Sequence, residues 1–201
     1  PYIAHVPLEP RAAMAASDGN KMTVHTGTQR PFGVRGEVAQ ACGLTEEQVR
    51  VLVPDTGSGY GGKHSGDAAV EAARIAKVVG KPIKLQWRRD EEFKFAYLRP
   101  AALIEIAAPG VSADAKLESW SFEVVNAGGS GSSIPYAVSN PRVRSTNGPS
   151  PLRQGSYRAL GSTVNNFGVR EMLDCFVDIA PVPRPRMTEE RMVIPSEDKF
   201  S

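Results

Sequence analysis

Hydrophobic and polar residues in the first half of the chain follow the periods of strands and helices. Residues 21–26 and 83–87 alternate one by one, and residues 49–53 form a β-branched run, so we predict three strands. Residues 31–42 predict a helix, because a proline suits its first turn and a glycine follows its last residue. Apolar residues recur every three to four positions over 67–79, which is typical of an amphipathic helix.

The second half of the chain contains fewer regular patterns. We predict strands at 101–107 and 116–125, followed by a long loop region at 126–155 that is rich in Gly, Ser, Asn and Pro. A final helix is predicted from about 163 to 179. The tail, residues 181–201, combines several prolines with many charges, and we expect it to be extended or disordered.

The order of these elements sets the expected architecture. Strands and helices alternate first and further strands follow, which predicts an α+β fold, with α/β-like alternation, in which helices pack on a mixed β-sheet. We expect one domain over residues 1–180, a length that is sufficient for a sizeable hydrophobic core. With 41% hydrophobic and 23% charged residues, the composition is that of an ordinary globular domain.

Charge and cysteine content exclude several classes of protein. The net charge is +2 and the basic residues are scattered, so we expect no nucleic-acid-binding surface. No apolar run approaches the ~20 residues that cross a bilayer, so we expect no membrane span. Cys42 and Cys175 lie far apart without a CxxC pair, which predicts two small buried side chains and no protein-bound metal. His5 and His25 fit no metal-ligand spacing either.

The segment 57–63 carries the most chemical information. It has the sequence Gly-Ser-Gly-Tyr-Gly-Gly-Lys and lies between a predicted strand and a predicted helix. Glycines allow positive φ angles and a close approach of the backbone to a ligand. Their N–H groups, near a helix N-terminus, favour an anionic or oxygen-rich group. We therefore predict a ligand-binding loop, called the glycine loop below.

Three other interpretations of the glycine loop are open from its sequence. Gly57, Gly59 and Gly62 satisfy the GxGxxG dinucleotide motif, although they begin late after the strand and the helix is delayed. The loop also fits the GxxxxGK phosphate loop of nucleotide hydrolases, but His64 stands where that motif needs Ser or Thr for magnesium. The third interpretation is a tight structural turn that binds no ligand.

Several motifs accompany the glycine loop in a fixed order. Thr-Gly-Thr-Gln-Arg-Pro-Phe at 26–32 precedes it, and Ser-Tyr-Arg-Ala-Leu-Gly at 156–161 follows it. Further stretches that carry the same resemblance are 5–10, 82–92, 98–100 and 150–155. Together these motifs resemble the xanthine dehydrogenase/aldehyde oxidase family, in its molybdenum-cofactor-binding large chain. The stretches 98–100 and 150–155 look most like the branch that contains the β-subunits of bacterial isoquinoline 1-oxidoreductase, and the resemblance covers roughly residues 1–180.

This resemblance implies an oxidoreductase. Members of the family hydroxylate an aldehyde or an N-heterocycle with oxygen taken from water. Their molybdenum is held by the dithiolene of a pterin cofactor, commonly the cytosine dinucleotide form in bacteria, while the protein supplies positioning and electrostatics. Electrons leave through iron–sulfur clusters in another chain or domain. The implied partners are the remaining segments of the large subunit, an iron–sulfur electron-transfer subunit and a small-molecule substrate, in the bacterial cytoplasm or periplasm.

The resemblance also assigns roles to particular residues. Gln29 would hydrogen-bond an oxo ligand of the metal through its NH2 group, and Arg158 would stabilise developing negative charge. The loop residues assigned to the cofactor are Gly59, Tyr60, Gly61 and Gly62. The N–H groups of Tyr60 and Gly61 would face the oxygens of the metal, and Tyr60 stands where the family often has phenylalanine. His64 stands where some members have a carboxylate, which leaves the substrate class open.

The general base of these hydroxylases is not found in this sequence. In the family it is a glutamate in a Gly-Val/Ala-Gly-Glu setting far beyond the matched region, and no glutamate here has that setting. We expect Glu171, on the final helix, to pack or to form an ion pair. The tail departs from the family pattern after Ala180, as expected for a truncated or frame-shifted gene product or a divergent tail. We therefore predict a fragment that is inactive alone and holds no cofactor, or else a non-catalytic remnant of the family.

Overall fold

A computed structural model of the protein describes residues 2–109, 112 and 116–179. The strands in these ranges are β1 (Ala12–Ser17), β2 (Met22–Thr26), β3 (Val49–Leu52), β4 (Ile83–Gln86), β5 (Leu103–Ala107), β6 (Ser119–Val125) and β7 (Asn140–Thr146). The helices are α1 (Pro31–Cys42), α2 (Asp67–Val79), α3 (Arg89–Phe95) and α4 (Ser162–Ile179). A single-turn 3-10 helix, Glu46–Gln48, precedes β3.

The first four strands form a mixed sheet in the order β3-β2-β1-β4. Strands β2 and β3 are parallel, whereas β1 is antiparallel to both of its neighbours. Helix α2 packs on this sheet and against α1. Its buried residues are Ala68, Ala69, Ala72, Ala73 and Ala76. Because these side chains are small, the backbone of α2 lies close to the sheet, where Met22 and Val24 complete the core.

The last three strands form a second mixed sheet in the order β5-β6-β7. Strand β6 is antiparallel to β5 and parallel to β7. Trp120, Phe122 and Val124 are buried and alternate with partly exposed residues along β6, as expected for a strand with one face in a core. Val169 of α4 joins this second core.

Most elements confirm the sequence predictions. Helices α1 and α2 begin and end where the sequence placed them, and Gly43 and Gly80 follow them with φ angles of 61° and 66°. This left-handed conformation is the one that ends many helices and that glycine adopts most easily. The predicted fold of helices on mixed β-sheet is confirmed, with the strands divided between two sheets.

Three elements were missed by the sequence analysis. Strand β1 is rich in alanine, which has a low strand propensity, but it lies between β2 and β4 and is paired with both. Helix α3 has only seven residues, too few for a periodic pattern. Strand β7 lies inside the predicted loop region 126–155, so that prediction was wrong there. All residues of β7 except Thr146 are exposed, and pairing with β6 forms the strand without any hydrophobic pattern.

The two cysteines differ in burial. Cys42 is buried as predicted, but Cys175 is exposed on α4, which corrects its predicted burial; both are free. Cys175 lies away from the core stripe that includes Val169. The predicted tail at 181–201 lies outside the described residues. Within the described part of the chain, no helix is long and apolar enough to cross a membrane.

Candidate functional site

The glycine loop connects β3 to α2 and folds against the turn that precedes α4. Gly61 has a φ angle of +91°, and a Cβ atom placed on it would lie 2.7 Å from the carbonyl oxygen of Ser156. Any other residue at position 61 would overlap this backbone. A glycine is therefore needed where the loop and the turn approach each other most closely.

A cavity of about 300 Å³ lies between these two segments. Its lining comprises Gln29 from the segment before α1, Tyr60, Gly61 and His64 from the loop region, and residues 156–160 from the turn. A larger hollow of about 790 Å³ lies against α2 and β4, but none of the predicted site residues lines it. The smaller cavity is therefore the candidate site.

Three of the six non-glycine residues with positive φ in the described part of the chain line this cavity. Tyr60, Ala159 and Leu160 have φ angles of 55°, 63° and 53°, and all three line it. A left-handed conformation of a non-glycine residue costs on the order of 1–3 kcal/mol and persists only where the surroundings impose it. Such residues are most frequent at ligand-binding sites, and here they occur on both walls of one cavity.

Gln29 is held by the glycine loop. Its side-chain oxygen Oε1 accepts the N–H of Gly61 at 2.9 Å and the N–H of Lys63 at 3.3 Å. Its backbone N–H donates to the oxygen of Lys63 at 3.0 Å. A Cβ atom on Gly59 would lie 2.6 Å from Oε1, so Gly59 leaves room for this side chain. Because Oε1 is used by the loop, the NH2 group of Gln29 is left as the donor.

The N–H groups of the glycine loop divide into used and unused donors. The N–H of Gly61 donates to Gln29, and the N–H of Gly62 donates to the oxygen of Gly59 at 2.7 Å. Across residues 2–109, 112 and 116–179, the N–H groups of Gly59 and Tyr60 have no acceptor. The structure thus corrects one detail of the sequence prediction: Tyr60 retains a free N–H, but the N–H of Gly61 is already bound to Gln29.

Arg158 lies on the opposite wall of the cavity. The side chain is exposed and lines the cavity, and no carboxylate in the described part of the chain lies within ion-pair distance of it. The turn around Arg158 is held by its backbone, because its carbonyl oxygen accepts the hydroxyl of Thr163 at 3.0 Å. The guanidinium is therefore available to an anionic ligand.

Tyr97 contacts the backbone of the glycine loop but does not line the cavity. No sequence motif indicated this residue. Its hydroxyl donates to the oxygen of Gly61 and accepts the N–H of His64 at 3.2 Å. A Cβ atom on Gly155 would lie 2.2 Å from the ring, so Tyr97 also packs on the segment that leads into the opposite wall. Burial raises the pKa of the Tyr97 phenol, which keeps this donor protonated.

His5 and Arg11 also contact the backbone of the two segments that form the cavity. Nε2 of His5 lies 2.6 Å from the oxygen of Ser156, and burial lowers the pKa of His5. The guanidinium of Arg11 donates to the oxygen of Gly62 and forms a buried ion pair with Glu92. Gly59 and Gly62, which the sequence assigned to the cofactor, are both absent from the cavity lining. Gly62 instead contacts His5 and Arg11. The resemblance of residues 5–10 was a signal for His5, and that of residues 82–92 was a signal for Glu92; no sequence signal marked Arg11.

The position of Lys63 disfavours the nucleotide interpretations of the loop. Its side chain is 2% exposed, and its ammonium forms an ion pair with Glu9, so it is not available to a phosphate. Helix α2 begins only at Asp67, after His64, and does not continue directly from the last glycine of the GxGxxG pattern. Among the residues that the structure describes, no group of three His, Cys, Asp or Glu side chains could hold a metal ion.

Fold and cavity together define a domain that presents amide, carboxamide and guanidinium donors to an oxygen-rich ligand. Residues 1–150 match the molybdopterin cofactor-binding domain family. The chain belongs to this family, which is the cofactor-binding part of the molybdenum hydroxylases of the xanthine dehydrogenase and aldehyde oxidase type. The family predicted from the sequence motifs is confirmed.

Curated relatives are much longer than this chain. The aldehyde oxidoreductase molybdenum-binding subunit PaoC of Escherichia coli (strain K12) is 34% identical over 127 residues, which are 60% of this chain and 17% of that protein. One of the subunits of nicotinate dehydrogenase from Pseudomonas putida is 25% identical over 123 residues, which are 61% of this chain and 10% of that protein. The chain therefore spans only a small part of the length of the relatives that it matches.

Solved structures share the fold. Quinoline 2-oxidoreductase from Pseudomonas putida 86 has a TM-score of 0.74 at 20% identity, over 88% of this chain and 25% of that chain. Aldehyde oxidoreductase from Desulfovibrio gigas has a TM-score of 0.75 at 18% identity, over 93% of this chain and 23% of that chain. At these identities the similarity establishes the fold alone.

Proposed function

We propose that this chain forms one wall of the molybdenum-cofactor site of a hydroxylase and supplies the donors that face the oxygen ligands of the metal. The observation that carries the proposal is the convergence of three distant segments on one cavity. Gln29, the glycine loop and Arg158 contribute a carboxamide, backbone N–H groups and a guanidinium to it. All of these groups donate hydrogen bonds, and none of them is a carboxylate.

The residues of the cavity fit such a cofactor. The unused N–H group of Tyr60 and the NH2 group of Gln29 are suited to oxo ligands, and Arg158 adds a positive charge. When bound, the cofactor supplies the redox chemistry, and the protein around it supplies orientation and electrostatics. Gln29 and the loop would hold and orient the ligand sphere, while Arg158 would stabilise negative charge that develops near it.

The proposed substrate is a small aldehyde or an N-heterocycle, with oxygen taken from water. Relatives named aldehyde oxidoreductase and nicotinate dehydrogenase support these two classes. Tyr60 and His64 line the cavity and are the side chains of this chain best placed to contact a substrate. We further propose an iron–sulfur subunit as electron acceptor, and the cytosine dinucleotide form of the cofactor. Assignment to the isoquinoline 1-oxidoreductase branch stays a prediction.

We also propose that the chain alone has no hydroxylase activity and holds no cofactor. The catalytic glutamate of the family, in its Gly-Val/Ala-Gly-Glu setting, does not occur in this sequence. Without that residue, the chain would lack the carboxylate that serves as general base in the hydroxylation. The remaining segments of the large subunit would supply the base and most contacts to the pterin.

Metal analysis tests the proposal directly. The chain is co-expressed with the remaining segments of a related large subunit, and the purified assembly is analysed for molybdenum. We expect near-stoichiometric molybdenum with the wild-type chain and a clear loss with Arg158→Gln, while the exposed variant Arg142→Gln serves as the matched control. An assembly that forms but contains no molybdenum would identify a non-catalytic remnant. A melting temperature of the chain alone that rises with millimolar nucleotide would favour the nucleotide-binding alternative.

A further inference from the structure

Glu9 contacts both ends of the glycine loop. Its carboxylate oxygen Oε2 accepts the N–H of Gly57 at 2.9 Å and forms an ion pair with the ammonium of Lys63. Its own N–H donates to the oxygen of Gly57 at 3.1 Å. One residue near the start of the chain therefore joins the first residue of the loop to the last.

Lys63 is held from two sides. Its backbone oxygen accepts the N–H of Gln29 and the hydroxyl of Thr28, both at 3.0 Å, which fixes it to the segment before α1. Its side chain is 2% exposed, whereas that of Glu9 is 37% exposed. A buried ammonium without a counter-ion is costly, because its desolvation is not compensated. The lysine side chain therefore depends on Glu9 and keeps the two loop ends together.

Two glycines lie close to Glu9, and a side chain on either would crowd it. A Cβ atom on Gly57 would lie 2.7 Å from Cβ of Glu9, and a Cβ atom on Gly27 would lie 3.2 Å from Oε2. Two glycines from different segments thus allow the carboxylate to approach the loop. Neither Glu9 nor Lys63 lines the cavity, so any effect on a ligand must pass through the loop backbone.

We propose that Glu9 and Lys63 are positioning residues whose ion pair closes the glycine loop and thereby orients the unused N–H group of Tyr60, which lines the cavity. The closed loop places the N–H of Gly61 at Oε1 of Gln29, so the same ion pair sets the carboxamide. The effect on a ligand rests on the proposed function, whereas the closure of the loop rests on the contacts described above.

Amide hydrogen exchange of the full chain, followed residue by residue by NMR, tests the closure without any ligand. Glu9→Gln retains an oxygen for the N–H of Gly57 but removes the counter-ion of Lys63. We expect exchange at Gly61 and Gly62 to rise about tenfold or more, since both N–H groups are hydrogen-bonded in the closed loop, while Val24 in the sheet core keeps its rate.

Two further variants separate positioning from folding. The double variant Glu9→Gln/Lys63→Met removes both charges, and we expect it to exchange more slowly in the loop than Glu9→Gln alone. If Glu9→Gln does not fold, Lys63→Met replaces it as the single variant, because the charge it leaves unpaired is the more exposed one. Glu46→Gln is the matched control, since it removes a carboxylate that pairs with Arg35 at 2.6 Å on the surface of α1.

Loop exchange that is unchanged, or that rises in parallel with Val24, would overturn the proposal. A double variant that exchanges no more slowly than the single one would also overturn it. Molybdate is then titrated as a simple oxyanion, with an expected tenfold loss of affinity in Glu9→Gln and none in Glu46→Gln. Equal affinity of Glu9→Gln and wild type would refute positioning. No molybdate binding by the wild type would count against the proposed function alone, because the exchange result does not depend on it.

Discussion

The side-chain oxygen of Gln29 accepts the N–H of Gly61 at 2.9 Å, and this bond joins two motifs that are 32 residues apart in the sequence. It determines which way the carboxamide faces, because an oxygen bound to N–H groups of the loop leaves the NH2 group as the donor. The bond also removes the N–H of Gly61 from the donors that a ligand could use. Gln29 therefore organises the loop and contributes to the cavity at the same time.

Gln29→Glu separates these two roles. A carboxylate retains an oxygen for the N–H groups of Gly61 and Lys63 but has no NH2 group and carries a negative charge. We expect a melting temperature close to that of the wild type and at least a tenfold loss of molybdate affinity, measured by calorimetry. Gln29→Ala should instead lose about 1 kcal/mol of stability, since it leaves loop N–H groups without an acceptor. Wild-type affinity in Gln29→Glu would argue against a donor role.

Gly61→Ala should be strongly destabilising. The new methyl group would combine a left-handed φ angle of +91° with an overlap 2.7 Å from the oxygen of Ser156. Gly19→Ala is the matched control, because Gly19 has a φ angle of +93° but nothing within 4 Å. We expect Gly61→Ala to lose about 1–3 kcal/mol more than Gly19→Ala in urea unfolding, from overpacking alone. Equal losses would mean that the loop and the turn are not in contact in solution.

Arg158→Gln should change ligand binding without changing stability. The guanidinium has no carboxylate partner in the described part of the chain, so its removal should alter the free energy of unfolding by less than about 0.5 kcal/mol. We expect molybdate affinity to fall about tenfold, and Arg142→Gln on β7 to have no such effect. A large loss of stability in Arg158→Gln would show that the side chain braces its own turn.

His5 should make stability depend on pH. Burial lowers the pKa of His5 below its ordinary value of 6.5, although the hydrogen bond to Ser156 opposes this shift. Since the unfolded chain then takes up a proton before the folded chain does, this contribution is complete above pH 6.5 and is lost as the pH falls through the folded pKa. As the pH is lowered from about 8 to about 5, the melting temperature should therefore fall less steeply for His5→Gln than for the wild type. His25→Gln is the control, and an unchanged slope in His5→Gln would contradict the prediction.

Local patterns explain which parts of the fold could be predicted. Helix α2 follows from the spacing of its alanines and from Gly80, all within one short segment. Strand β7 could not be found in this way, because almost every residue in it is exposed and its hydrogen bonds come from β6. Helix α3 was too short to show a period.

The candidate site also contains residues that local motifs predict and residues that only distant contacts bring to it. Gln29, Tyr60 and Arg158 were found from short motifs in a fixed order, and the structure brings all three to one cavity. Tyr97 and Arg11 could not be predicted as part of the site, because they contact the oxygens of Gly61 and Gly62 from segments that are distant in the sequence. Which loop N–H groups stay unused was also beyond the sequence, since Gln29 takes up one of the two that the motif suggested.

The sequence by itself determined the family, the main helices and the chemical types of the site residues, because periodicity, glycine punctuation and motif order are properties of short segments. Only the tertiary structure decided that the ammonium of Lys63 is paired with Glu9 and so is not available to a phosphate. It also decided that, of the two loop residues that line the cavity, Tyr60 keeps an unused N–H group and Gly61 does not. The physical reason is that a buried charge and a buried N–H must each find a partner, and those partners come from elsewhere in the chain.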